Sequence, residues 1–112
     1  MATVETRLKR RAEFLRAARG RKVSMPGLVL QALARDDQAP ARLGFTVTRK
    51  VGNAVVRNRV RRRLREAARV ALAVDPPLGV DLVLIGRSTT AAREFRALVE
   101  DVCQAVGRIA RR

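Results

Sequence analysis

Six arginines fall within nine consecutive positions of one segment, an arrangement suited to binding anions; they are Arg57, Arg59, Arg61, Arg62, Arg63 and Arg65. On a helix, which turns by ~100° per residue, Arg57, Arg61 and Arg65 stack as one ridge beside an apolar stripe. Like charges four residues apart oppose helix formation, so such a ridge serves a polyanion better than it serves the helix. The guanidinium group also matches phosphate geometry better than an ammonium group does.

The neighbours of this ridge bear on the same interpretation. Asn58 has no capping role, and its amide could contact a base edge, a sugar hydroxyl or a hydrated metal ion held by RNA. Arg59 and Arg63 fall on the other flank or inside the apolar arc, where their charged ends would have to extend past it. The alternative is an ordinary solvated face, but such faces normally mix charges, and here only Glu66 is nearby.

The residues before the arginine segment extend the basic surface. A strand predicted at residues 43–48 alternates apolar and small polar positions, so Thr46 and Thr48 share a polar face. Arg49 and Lys50 follow directly. Because a helix N-terminus carries partial positive charge, we expect strand end, loop and helix start to form one electropositive corner.

The composition agrees with a polyanionic partner. The chain has 112 residues, with 25 Lys and Arg against 10 Asp and Glu, giving a formal net charge of +15. Nucleic acid is the favoured partner because binding its phosphates releases condensed counterions. A membrane surface is disfavoured, since the chain has no Trp or Tyr and only three Phe.

Several kinds of chemistry are disfavoured by the same composition. The chain has no His, which excludes Ser–His and Cys–His nucleophile pairs and Cys/His zinc sites. Cys103 is the single cysteine, which excludes an internal disulfide, and we expect it to be a small core residue. The carboxylates are scattered over different predicted elements, which argues against an acidic metal site. With no apolar signal segment and no apolar run of ~18 residues, we expect a cytoplasmic protein.

Hydrophobic periodicity predicts the elements that position these residues. Helices are predicted at about 7–19, 54–73 and 91–109, and strands at 28–33, 43–48 and 80–85. We expect the first two strands to pair as a hairpin and the third, almost wholly apolar, to be a buried central strand. The order predicts an α+β sandwich with helices packed on one small sheet. If the second and third strands are parallel, the helix between them makes a crossover that is right-handed by the general rule.

Two helices carry more specific expectations. Asn53 is a suitable N-cap for the arginine helix, whose buried stripe we expect to include Val60 and Leu64. In the first helix, the residues expected near one face are Leu8, Ala12, Leu15 and Ala18.

The segment from Lys50 to Leu64 reads KVGNAVVRNRVRRRL. It closely resembles the signature of the bacterial ribonuclease P protein family, in which a strand ends in a basic pair, followed by V-G-N-A-V and an Arg-Asn-Arg core on a helix. Loop glycine, N-cap and arginine register agree in order. Similar segments are LKRRAEF at residues 8–14 and DLVLIGR at residues 81–87, so the resemblance covers about residues 7–109.

The resemblance implies a fold and an activity. The fold is a small α/β sandwich like domain 2 of ribosomal protein S5, with one mixed sheet of about four strands, three helices and a left-handed crossover, which we adopt over the general rule. The domain would span residues 1–112, with a core of about 7–109 and flexible ends. The protein would be the non-catalytic subunit of an RNA-based endoribonuclease. The RNA subunit would hold Mg²⁺ and cleave precursor tRNA, with no membrane, protein-bound metal or obligate protein partner.

The resemblance also implies two sets of site residues. The residues that bind the RNA subunit would be Arg49, Lys50, Asn53, Arg57, Asn58, Arg59, Arg61, Arg62 and Arg65. A cleft between the first helix and the polar sheet face would hold the 5′ leader of precursor tRNA, lined by Phe14, Gln31, Thr46 and Thr48. Many members have further aromatics in this cleft, whereas this chain has Ala17 or Ala18, and Gln31, so its hold on the leader would depend more on hydrogen bonds and charge. Phe14 suits the core equally well.

Two other functions explain part of the pattern. A ribosomal protein or a general RNA chaperone would account for charge, size and fold, but not for the order of loop and arginines. A stand-alone protein nuclease is disfavoured because the chain has no His and its carboxylates are scattered.

Overall fold

A five-stranded mixed sheet carries three helices in the computed structural model, which describes residues 6–110. The elements are β1 (Thr6–Arg7), α1 (Arg11–Ala17), β2 (Arg21–Ser24), β3 (Leu28–Ala34), β4 (Arg42–Thr46), a 3-10 turn (Arg49–Val51), α2 (Ala54–Ala71), β5 (Val80–Gly86) and α3 (Phe95–Ala110). The predicted α+β class with three helices is confirmed. The flexible ends predicted for the chain fall largely outside the described residues.

The strand order β1-β4-β5-β3-β2 corrects one prediction. β5 pairs parallel with β4 and antiparallel with β3, so the hairpin predicted between β3 and β4 is wrong. The cause is the apolar run of β5, which is buried on both faces of the sheet and therefore takes the centre. β3 forms its hairpin with β2 instead. The sheet has five strands instead of the predicted four, because it includes the short, exposed β2 and the two-residue β1.

The main core lies between one face of the sheet and the helices α2 and α3. Its large, fully buried side chains include Leu28, Leu30, Leu43, Val60, Leu64, Leu82, Leu84, Leu98 and Val102. The predicted stripe of α2 is confirmed, and its N-cap is as predicted, because Asn53 Oδ1 accepts a hydrogen bond from the Val56 amide at 3.0 Å. α2 connects the parallel strands β4 and β5, and the handedness of this crossover stays a prediction.

The prediction that Cys103 is a core residue is wrong. Cys103 is exposed on α3, and its thiol lies 3.9 Å from the Ala71 carbonyl oxygen. Its neighbour Val102 takes the buried position, and one further residue turns the side chain ~100° away from the sheet.

α1 covers the opposite face of the sheet. Phe14 and Ala17 pack there in a second small cluster with Leu8, Val83 and Ile85. Among the described residues, no helix is both long and apolar enough to cross a membrane.

The face predicted for the first helix is wrong. Leu15 is 54% exposed, and Ala12 and Ala18 are also exposed. The helix begins at Arg11, so Leu8 is buried from the extended segment before it, where its amide donates to the Leu43 carbonyl oxygen at 2.9 Å. Counting Leu8 as helical therefore set the predicted face out of register.

Candidate nucleic-acid interface

The arginines of α2 divide into groups by their surroundings. The ridge of Arg57, Arg61 and Arg65 is half-buried, whereas Arg59 and Arg62 are exposed. α2 packs against β4 and β5 on one side and against α3 on the other. The ridge is therefore a surface that the rest of the fold partly supports, and its binding of RNA stays a prediction.

Arg65 is held by an aromatic ring. Its guanidinium carbon lies 5.8 Å from the centre of the Phe45 ring, on the side of β4 that faces α2. Attraction to the ring face fixes the cation without using its N–H donors. Its Nε is buried and forms no hydrogen bond with the described residues. The availability of Arg65 to a ligand follows instead from its place in the lining of a cavity beside α2.

Asn58 orients the middle arginine of the ridge. Arg61 Nη1 donates a hydrogen bond to Asn58 Oδ1 at 3.0 Å. This contact explains an amide in the middle of a helix, where asparagine has low propensity. The contact leaves the Asn58 side-chain NH₂ and the other N–H groups of Arg61 for a ligand.

Arg63 has a different environment from the ridge. Its Nε donates to the Thr90 carbonyl oxygen at 3.2 Å, and its Nη2 donates to the Arg93 carbonyl oxygen. Its guanidinium carbon lies 5.9 Å from the centre of the Phe95 ring. The charged end of Arg63 therefore binds backbone carbonyl oxygens instead of extending past the apolar arc, and Arg63 is a structural residue that joins α2 to the segment before α3.

The predicted basic corner lies between β4 and α2. Thr48, Arg49 and Lys50 are exposed there, the last two in the 3-10 turn. The first turn of α2 contains no acidic residue. Asn53 uses its side-chain oxygen for the cap, which leaves its side-chain nitrogen for a ligand. The corner and the α2 N-terminus thus present positive potential together.

Strand register builds the sheet face that α1 partly covers. Thr46 on β4 lies opposite Ile85 on β5, which lies opposite Val29 on β3 and then Ser24 on β2. The first three are half-buried and Ser24 is exposed, so this row forms an open floor beside α1.

The next row is Gly44, Val83, Gln31 and Lys22. Phe14 lies on this row: a Cβ built on Gly44 would come within 2.6 Å of Phe14 Cε1. Glycine is therefore required where the ring rests on the β4 backbone. Phe14 is half-buried, and so it serves the small cluster under α1 and also borders the open floor.

The open floor and α1 together form a groove. A cavity of about 100 Å³ lies between the arginine ridge and this groove. Its charged lining consists of Arg7, Arg61 and Arg65, and Phe14 and Phe45 are among its other lining residues. Among the residues that the structure describes, no carboxylate lines the cavity. Arg7 was missed at the sequence level because β1 has only two residues and no periodicity that could place it.

The carboxylates near these surfaces are engaged by arginines. Glu13 pairs with Arg42, and Asp81 pairs with Arg42 and Arg35. Burial alone would raise the pKa of the Asp81 carboxyl, but hydrogen bonds from Arg42 and Arg35 outweigh it and hold the pKa below the ordinary 3.8. Within residues 6–110, no three His, Cys, Asp or Glu side chains form a group that could hold a metal ion.

A strongly basic α+β fold that presents supported arginines beside an open polar sheet face defines an RNA-binding protein. The model of the family described as Ribonuclease P matches residues 3–110. The chain therefore belongs to the ribonuclease P protein family, and its place is in tRNA processing.

Relatives and solved structures agree with this assignment. The chain is 69% identical to the ribonuclease P protein component of Gluconacetobacter diazotrophicus, over 91% of this chain and 89% of the relative. It is 48% identical to that of Paramagnetospirillum magneticum, over 97% and 86%. The fold is similar to the RNase P protein from Thermotoga maritima, with TM-score 0.75 and 29% identity over 92% of this chain and 96% of that one. For the Staphylococcus aureus RNase P protein the TM-score is 0.72, with 28% identity over 94% of each chain.

These findings confirm the resemblance seen in the Lys50–Leu64 segment. They do not favour a ribosomal protein or a general chaperone. The RNA contacts of individual residues stay predictions.

Proposed function

We propose that this chain is the non-catalytic protein subunit of ribonuclease P. The α2 ridge and the basic corner bind the catalytic RNA subunit. The groove between α1 and the sheet holds the 5′ leader of precursor tRNA, and the RNA subunit carries out the cleavage. We also propose a cytoplasmic location and no obligate protein partner.

The main support for this proposal is that Arg7, Arg61 and Arg65 line the same cavity. Three guanidiniums repel one another unless an anion lies between them, and no carboxylate among residues 6–110 lines the cavity. A phosphate supplies the charge and the acceptor oxygens that these forked donors match. The cavity lies between ridge and groove, so it suits the point where the catalytic RNA and the leader strand approach each other.

The groove suits a single strand held by polar contacts. Thr46 and Gln31 offer a hydroxyl and an amide on the half-buried floor, and Phe14 offers one ring at its border. Aromatic stacking contributes about 1–3 kcal/mol per base, so one ring gives a smaller stacking contribution than several would. Lys22, exposed at the end of the Gln31 row, adds positive charge for the leader phosphates.

Within the described part of the chain, the carboxylates do not assemble a magnesium site. Mg²⁺ requires oxygen ligands, but Asp81, Asp101 and Glu66 are each paired with arginine, and Glu13 is paired with Arg42. We therefore assign Mg²⁺ and the cleavage chemistry to the RNA subunit. The part of the protein is to neutralise phosphate repulsion between the RNA subunit and its substrate.

A cleavage assay with precursor tRNA at low Mg²⁺ tests the division of labour. The RNA subunit alone, the protein alone and the two together are compared. Activity is expected only for the combination, because charge neutralisation by the protein replaces the missing Mg²⁺. Cleavage by the protein alone would overturn the non-catalytic assignment.

The leader groove is tested by Thr46→Val, which keeps the shape of the side chain and removes its hydroxyl. We expect the preference of the holoenzyme for precursor over mature tRNA to fall about 2–10-fold, the equivalent of one hydrogen bond. Gln104→Ala is the control, since Gln104 is exposed on α3 beyond the other face of the sheet. If both variants keep the wild-type preference, the groove is assigned to the wrong surface.

A further inference from the structure

Glu13 makes two kinds of contact at once. Its Oε1 accepts hydrogen bonds from the backbone amides of Lys9 at 2.8 Å and Arg10 at 3.0 Å, which caps the start of α1. Its Oε2 accepts a hydrogen bond from Arg42 Nη1 at 3.0 Å. One carboxylate therefore ties the start of α1 both to its own first turn and to β4.

Arg42 is itself fixed by a buried partner. Its Nε and Nη2 donate to the two carboxylate oxygens of Asp81 on β5, at 2.9 and 2.7 Å. Asp81 is 3% exposed and also receives Arg35 Nη1 at 2.6 Å. Because this bidentate geometry leaves Arg42 little freedom, the contact with Glu13 holds α1 at a set position above the sheet.

Phe14 follows Glu13 directly, and the two contacts lie side by side. Arg42, Gly44 and Thr46 alternate on β4, so all three face α1. Glu13 pairs with Arg42, and the Phe14 ring rests on Gly44. Thr46 belongs to the open floor. α1 has only seven residues and is too short to be stable by itself, so its position depends on contacts such as these.

A carboxylate is otherwise out of place beside a surface that binds RNA. Backbone hydrogen bonds from Arg10 and Lys9, with the charge of Arg42, hold the pKa of Glu13 below its ordinary 4.5, so it is charged at neutral pH. A free negative charge there would repel the leader phosphates. A structural task explains its presence.

We propose that Glu13 is a positioning residue for the leader groove. Through Arg42 it holds α1, and with it the Phe14 ring, at the distance from β4 that admits the leader next to Thr46. This role rests on the proposed function of the groove, and Glu13 itself makes no contact with RNA.

Glu13→Gln separates the two tasks of the side chain. Glutamine at this helix position still offers an oxygen to the backbone amides, but it has no charge and no second acceptor for Arg42. Glu66→Gln is the matched control, since it makes the same charge change at an exposed ion pair with Arg69 on α2.

Two quantities are measured on these variants: hydrogen exchange of the α1 backbone amides, and the affinities of the holoenzyme for precursor and mature tRNA. We expect Glu13→Gln to speed exchange in α1 and to lower the precursor preference about threefold or more. Glu66→Gln should change neither. A purely electrostatic effect would act in the opposite direction, since removing a negative charge strengthens RNA binding.

Phe14→Ala distinguishes a positioning role of Glu13 from a general effect on stability, because the precursor preferences of the single and double variants can be compared. If Glu13 acts through Phe14, the double variant should have the same precursor preference as Phe14→Ala alone. Additive losses would overturn the positioning role, as would wild-type exchange in Glu13→Gln. Faster exchange with an unchanged preference would overturn it too, provided that Phe14→Ala lowers the preference. If Phe14→Ala and Thr46→Val both keep the wild-type preference, the leader groove itself is wrong and the role of Glu13 falls with it.

Discussion

The guanidinium of Arg65 lies 5.8 Å from the centre of the Phe45 ring, so the arginine ridge of α2 is anchored on β4. β4 alternates, and its next residue, Thr46, faces the opposite side of the sheet, where the groove beside α1 begins. One strand therefore supports both proposed RNA surfaces.

The first prediction concerns the salt dependence of RNA binding. Arg61→Ala and Arg65→Ala should each weaken binding to the RNA subunit, because each removes a proposed phosphate contact. The slope of log K against log salt should fall by about 1 in each variant. Filter binding at several salt concentrations measures it, with Arg96→Ala on α3 as an exposed control. Unchanged slopes for Arg61→Ala and Arg65→Ala would mean that the ridge is not the RNA-binding face.

The second prediction separates Arg63 from the ridge. Arg63→Ala should lower the free energy of unfolding by about 1–3 kcal/mol, because the carbonyl oxygens of Thr90 and Arg93 lose their donors. Its salt slope for RNA binding should stay as in the wild type. Urea unfolding measures the stability, and Arg62→Ala, at an exposed neighbour, should stay within about 0.5 kcal/mol. The reverse pattern would make Arg63 an RNA contact.

The third prediction concerns the contact of Phe14 with β4. Gly44→Ala should destabilise the protein by about 1–3 kcal/mol, because the new methyl group would meet the Phe14 ring at 2.6 Å. Gly107→Ala is the control: a Cβ there meets nothing within 4 Å, so it should leave stability unchanged or raise it by up to about 1 kcal/mol through helix propensity.

A second substitution tests the cause of that loss. Phe14→Leu in the Gly44→Ala background should recover part of the stability, since the smaller side chain leaves room for the methyl group. Strictly additive losses in the double variant would show that the ring and the glycine are not coupled.

The features that the sequence predicted correctly are those that depend on local pattern. The apolar stripe of α2 repeats over five turns, so Val60 and Leu64 were assigned to the core and the ridge of Arg57, Arg61 and Arg65 was placed beside it. The N-cap at Asn53 needs only its own residue type and the helix that follows. The spacing of the ridge follows from the helix itself.

The features that it missed depend on contacts between distant segments. β3 and β4 are separated by a short connection, but β5, which follows α2 in the chain, inserts between them. Glu13 on α1 and the buried Asp81 on β5 both pair with Arg42 on β4. No local sequence pattern indicates that these three residues meet. Similarly, Arg7 reaches the cavity of the ridge only because β1 pairs with β4.

The last prediction concerns the buried carboxylate of that network. The pKa of Asp81 is lower in the folded protein than its ordinary 3.8, so the folded state favours the charged form. Its contribution to stability is therefore complete above the unfolded-state pKa and is lost as the pH falls through the folded-state pKa. Asp81→Asn should cost about 2–4 kcal/mol at neutral pH, since Arg42 and Arg35 lose their shared charged partner.

The pH dependence distinguishes this cause from a general loss of packing. Urea unfolding from pH 7 down to pH values well below 4 should show the difference between wild type and Asp81→Asn shrinking once the pH falls below the ordinary pKa of 3.8, where the carboxyl of the unfolded wild-type chain begins to be protonated. Glu66→Gln, at an exposed ion pair, should differ little from wild type across the range. A constant difference down to the lowest pH would show that the loss comes from the shape of the side chain. The arginine network would then not depend on the charge of Asp81.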